Sequence, residues 1–175
     1  MANQNKKTSL YVLAESAIMV ALATVLSMVK VYEAPYGGSV TLLSMAPIII
    51  LSMRRGVKTG LLAGFVYSLI QLLLGLNNVA WVPTPMGIVL CCLLDYILPF
   101  TLLGLAGAIA KPFKNRLVGV AVGTAVVCFI RFMCSFLSGV LIWGNLSDGL
   151  PAWTYSLTYN GSYMLPETIL TTVAA

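Results

Sequence analysis

Histidine is absent from the 175 residues. That absence removes the HExxH zinc motif, Ser-His-Asp nucleophile chemistry and the usual side chain for moving protons near neutral pH. Charge is nearly as scarce. Only 9% of the residues are Asp, Glu, Lys or Arg, against roughly 25% in a soluble domain. So few charges do not coat a water-facing surface, and 59% apolar residues with a mean hydropathy of +0.96 point to an integral membrane protein. The phosphate-cradling pattern G-x-x-x-x-G-K-[ST] is missing, so no ATP site of that type is present. No internal repeat is visible, which argues against an inverted-repeat transporter. The four cysteines, Cys91, Cys92, Cys128 and Cys134, all fall in apolar runs. A free thiol there behaves as a small apolar side chain, so neither a disulfide nor a metal site is expected. No acid–base or nucleophile pair stands out either. The expectation is a protein that is not an enzyme, with no catalytic residues and no cofactor.

What the chain does have is long apolar runs. A spanning helix needs about 20 apolar residues, and hydropathy with punctuation predicts six spans in one domain over 1–175. They fall at about 10–28, 40–53, 59–76, 87–110, 117–143 and 156–175. The expected fold is an all-α six-transmembrane-helix bundle. The second span is short and contains Pro47, which allows a tilt or kink. The sixth is still apolar at Ala175, so the expectation is a truncated last helix and a basic tail beyond it.

The net charge of +5 is not a nucleic-acid signal. Eight of the ten basic residues lie in three short segments: Lys6 and Lys7, then Arg54, Arg55 and Lys58, then Lys111, Lys114 and Arg116. Basic clusters at alternate boundaries follow the positive-inside pattern, which predicts a multi-pass protein with a cytoplasmic N-terminus. The intervening external loops hold Tyr32, Tyr36, Trp81, Trp153, Tyr155 and Tyr159. Interfacial anchoring belts also collect Trp and Tyr. Such belts form at both interfaces, whereas here only Tyr11 and Phe113 lie at the basic boundaries. The asymmetry favours an outward-facing ligand cup.

Charges inside spans usually mark function. Asp95, beside Tyr96, lies sixteen residues before Lys111, and Arg131 lies fifteen after Arg116. At about 1.5 Å per residue both stand roughly 22 to 24 Å from the loop that joins their helices. The expectation is an Asp95–Arg131 ion pair between antiparallel neighbours. Arg131, Ser135 and Gly139 recur every four residues with Trp143 beyond them. That face suits either a ligand or close helix packing. With Tyr155 and Asn160 near the rim, the lining favours flat, cationic or nitrogen-rich ligands, through stacking and cation–π attraction.

The stretches "ESAIMVALATVLSM", "LSMRRGVKTGLLAG", "LLDYILPFTLLGLAG", "RFMCSFLSGVLIWG" and "YSLTYNGSYMLPE" occur in that order. Together they resemble the thiamine-specific membrane subunit (S component) of bacterial energy-coupling-factor (ECF) vitamin transporters. The resemblance implies a six-helix protein of the bacterial cell membrane that binds thiamine from outside. It also implies docking on an ECF module made of a transmembrane scaffold subunit and two ATPase subunits. Ala17 and Ala21 match the family's docking alanines. Asp95 and Tyr96 match its acidic-Tyr pair, Arg131 its fifth-helix basic residue, and Trp143 its stacking tryptophan. Tyr155 and Asn160 match the Tyr and Asn before its sixth helix. Ser135 stands where some members carry histidine, and Tyr36 or Tyr32 stands in for a first-loop tryptophan. The alternative is a self-sufficient, proton-coupled secondary transporter for thiamine or a related cationic heterocycle.

Overall fold

The computed structural model describes residues 2–34, 38–146 and 149–175, without the side chains of residues 2–8, 145 and 146. Helix α1 (Ala2–Met28) leads into a two-stranded antiparallel hairpin, β1 (Lys30–Glu33) and β2 (Ser39–Thr41). The described residues are otherwise helical or irregular, so the hairpin is an addition to the expected all-α architecture. The second span is corrected: residues 39–41 are strand, and α2 covers Ala46–Arg55. Pro47 explains the late start, because its fixed φ and missing N–H suit the first turn of a helix. Gly56, at φ 91°, ends α2 in a conformation that disfavours a side chain. At ten residues α2 is about 15 Å long, half a hydrocarbon core, and most of it is buried.

Helix α3 (Val57–Leu74) follows, then the single turn α4 (Leu76–Val79). The fourth segment, expected as an unbroken helix, is helical throughout but changes pitch. It runs from α5 (Pro85–Cys91) through a π-helical stretch (Cys92–Ile97), α6 (Leu98–Thr101) and a 3-10 stretch (Leu102–Leu105) to α7 (Ala106–Ala110). Pro99 is the local cause, since it has no N–H to offer the carbonyl of Asp95 four residues earlier. Helix α8 (Arg116–Leu141) and α9 (Ala152–Ala174) complete the chain, joined through a 3-10 turn (Trp143–Leu146).

Among the described residues, four segments are long and apolar enough to cross a membrane: Ser9–Met28, Val57–Leu74, Pro85–Ala110 and Arg116–Leu141. The chain is therefore a helical multi-pass membrane protein. Helix α9, with 23 residues, has the length to cross but carries Asn160, Glu167 and several tyrosines and hydroxyls along its faces.

Exposure is arranged as lipid requires. Large apolar residues such as Leu62, Leu117 and Val173 point outward, while Ser52, Ser68, Thr124, Ser138, Ser156 and Thr171 are buried between helices. Small residues allow this closeness. A Cβ on Gly139 would collide with the Ser156 side chain, so α8 and α9 touch there. Gly139 is thus a packing position. The main core joins Val20 and Ala23 of α1, Ile48, Ile49 and Leu51 of α2, Tyr67 of α3, and Phe100, Leu103 and Val127 beyond. Tyr67 meets Phe100 edge-on at 5.2 Å.

The α2–α3 and α7–α8 junctions lie at one end of the bundle, where α2 and α3 both pack against α7. Glu15 of α1 joins this basic end through ion pairs to Arg54 at 3.3 Å and Arg55 at 2.5 Å.

Candidate functional site

A cavity of about 410 Å³ opens at the other end, within the roughly 300–1,000 Å³ of ligand pockets. The hairpin, α1, α3, the π-helical stretch, α8 and α9 all contribute to its wall. Asp95, Tyr96, Arg131, Ser135, Trp143, Tyr155 and Asn160 come together around it. Tyr36 lies outside the described residues. Ala17 and Ala21 are exposed on α1, away from the cavity.

Asp95 sits in the π-helical stretch, a feature that often re-aims side chains at functional sites. Its Oδ2 accepts hydrogen bonds from Ser138 Oγ at 2.6 Å and Cys91 Sγ at 3.4 Å. Trp143 also interacts with this carboxylate. Tyr96 donates to the carbonyl of Gly75 at 3.1 Å, tying the π-helical stretch to the end of α3.

The expected Asp95–Arg131 pair is not formed. Arg131 instead donates to Glu167 Oε2 at 2.9 Å and lies over the Phe100 ring, 4.9 Å from its centre. Side chains on a helix lean toward its N-terminus. On antiparallel neighbours, Asp95 therefore leans toward the cavity mouth and Arg131 toward the basic end. Asp95 meets Ser138, seven residues beyond Arg131 and about 10 Å farther along α8. Glu167 on α9 leans toward Arg131, and the two meet.

Glu167 was missed, although the rule that singled out Asp95 applies equally to an acid between Pro166 and "TILTTV". Its other oxygen, Oε1, accepts from Thr41 Oγ1 at 2.6 Å, and Thr41 is bonded to Ser44 at 2.7 Å. Hairpin, α8 and α9 are thereby tied together through one carboxylate.

Aromatic lining comes mainly from α9. Tyr155 stacks on Tyr159 at 5.8 Å, and Tyr159 meets Tyr163 edge-on at 5.6 Å, an i, i+4, i+8 ladder. That spacing was legible in the sequence, yet Tyr163 was missed. Tyr159 OH accepts from the Gly38 N–H at 3.0 Å, fastening the hairpin over the cavity. Trp81 and Trp153 are 77% and 58% exposed and outside the wall, so they suit an interfacial belt. Asn160 is committed to the scaffold: its amide donates to the carbonyls of Ser156 at 3.0 Å and Ser135 at 3.3 Å and accepts from Tyr163 at 2.6 Å. Tyr67, Gln71 and Asn78 add polar groups from the α3 side that were not foreseen. Gln71, anchored to Ser27 at 2.7 Å, was the readable signal, an amide inside an apolar span.

Among the described residues no group of His, Cys, Asp or Glu is placed to hold a metal ion. The arrangement is a polar, aromatic chamber with one carboxylate that takes only neutral donors, suited to holding a flat cation.

Comparison with known proteins bears on the fold and the family. The solved structure of ThiT from Listeria monocytogenes has the same fold, with a TM-score of 0.76 at 24% identity, over 95% of this chain and 92% of that one. "Thiamine transporter ThiT" of Bacillus subtilis (strain 168) is 35% identical over 95% of this chain and 88% of its own length. The protein of the same name from Lacticaseibacillus paracasei is 32% identical over 94% and 84%. The family model described as Thiamine transporter protein (Thia_YuaJ) matches residues 13–175, and the chain belongs to that family.

Proposed function

We propose that this chain is the thiamine-binding membrane subunit of an ATP-driven ECF-type importer, holding the vitamin in the aromatic cavity that contains Asp95. Family membership makes it a transport protein rather than an enzyme. The observation that carries the reading is Asp95 itself. It is a carboxylate at membrane depth with neutral hydrogen-bond donors and no cation among the described residues, facing a chamber of ligand size. A charged thiazolium ring supplies the missing cation, and Trp143 and the α9 tyrosines supply stacking faces. The positive-inside rule places the basic end in the cytoplasm, so the cavity opens outward and the N-terminus is cytoplasmic. The bundle then has six membrane segments, with the short α2 buried among its neighbours and α9 as the sixth.

Calorimetric titration of the purified protein with thiamine tests this directly. Binding with quenching of tryptophan fluorescence is expected. Trp143→Ala should weaken it by about 1 to 3 kcal/mol, the scale of a desolvated stacking or cation–π contact. No heat and no quenching would refute the assignment.

The partners follow from α1. Ala17 and Ala21 are exposed one turn apart, a smooth patch against which another helix packs closely. Replacing either with Trp or Arg is expected to abolish uptake in cells carrying the scaffold and ATPase subunits. Thiamine binding by the purified variant should persist. Loss of binding in a folded variant would place this face inside the protein's own packing.

A proton-coupled carrier that needs no ATPase is the second reading. That Asp95 has no cationic partner among the described residues is the observation that favours it. Thiamine accumulation by the chain alone in vesicles with a proton gradient would establish it over the first.

A further inference from the structure

We propose that Glu167 determines ligand specificity: by holding the Arg131 guanidinium, it leaves the cavity with a net negative charge and selects cationic thiamine over its phosphate esters. This rests on the cavity being the thiamine site.

The charges at the cavity can be counted among the described residues. Lys30 at the rim is matched by Glu33 at 2.5 Å. Arg131 is matched by Glu167 at 2.9 Å. Asp95 takes only neutral donors, so its charge is the one that remains. Glu167 stands behind the arginine, its side chain 1% exposed against 12% for Arg131, and it is not part of the cavity wall. Both of its oxygens are bonded, one to Arg131 and one to Thr41, so the carboxylate is fixed in place. It acts on a ligand through Arg131.

A guanidinium is the side chain best matched to phosphate, through its fork of N–H donors. Arg131 lines the cavity and would serve that purpose if unpaired. Glu167 takes up part of the fork and cancels the charge. A phosphate group carries about −1.5 to −2 at pH 7, so the monophosphate of a singly cationic vitamin is net negative or close to neutral. It would enter against Asp95 with no free cation to receive it.

The experiment titrates thiamine and thiamine monophosphate into the wild type, Glu167→Gln, and the double variant Glu167→Gln/Arg131→Met. Glutamine keeps the shape and the acceptor for Thr41. The wild type should prefer thiamine. Glu167→Gln should narrow that preference by about tenfold or more, chiefly through tighter monophosphate binding. The double variant has the same charge sum as the wild type and should regain the preference to within about threefold. A Glu167 with a purely structural role lowers both affinities alike, and an unchanged ratio in Glu167→Gln overturns the proposal. A double variant that keeps the narrowed ratio does so too. If Glu167→Gln does not fold, Glu167→Gln/Arg131→Lys carries the same charge sum and is held to the same expectation. A wild type that binds neither compound overturns both the cavity assignment and this inference, whereas thiamine binding with an unchanged ratio overturns only the latter.

Discussion

Asp95→Asn is expected to cost about 2 to 5 kcal/mol of thiamine affinity, roughly thirtyfold to several-thousandfold, the range for truncating one side of a buried charge contact. Asparagine fits the same space, and its side-chain carbonyl still accepts from Ser138, so the bundle should fold. The loss then reports on the ligand's positive ring. Arg131 keeps Glu167 in this variant, so no cation is orphaned. Asp95→Glu retains the charge on an arm one methylene longer, and binding should largely survive. A neutral analogue lacking the quaternary nitrogen is the control: it should bind the wild type weakly and respond little to Asp95→Asn. If charged and neutral ligands lose equal affinity, Asp95 acts by holding α8 through Ser138 and not by attracting a cation.

The second large effect is on stability. Arg131→Met leaves Glu167 buried with only Thr41 as a partner, and breaking such a pair from one side costs about 3 to 5 kcal/mol. A marked fall in melting temperature in detergent is expected, larger than for Asp95→Asn. Removing both charges, as in Arg131→Met/Glu167→Gln, should recover much of it, because a buried pair pays desolvation on both ions and apolar replacements often do as well. Equal melting temperatures for Arg131→Met and the double variant would mean that the cost lies elsewhere. The contacts of the arginine with Phe100 and Met45 are then the candidates.

Local composition determined much of this protein. Lipid has no water to satisfy a bare backbone, so apolar runs must form helices, and the bounds expected for the third and fifth spans fall within two residues of α3 and α8. The same scarcity of charge made Asp95 and Arg131 conspicuous, and both line the cavity. The motifs around them were enough to indicate the family. Tertiary structure decided the rest. Counting residues from a shared loop puts Asp95 and Arg131 at one depth, but depth does not fix direction. Pro99 and the π-helical stretch turn Asp95 toward Ser138, and the opposite lean of side chains on antiparallel helices separates the two charges. Which acid neutralises Arg131 depended on how α9 packs on α8. That contact is set by Gly139, Ser156 and Asn160, residues whose types are common and whose partners no local pattern names. The hairpin was hidden for a related reason. "KVYE" and "SVT" are too short to read as strands alone, and they are held by pairing with each other and by Thr41 and Gly38 bonding to α9.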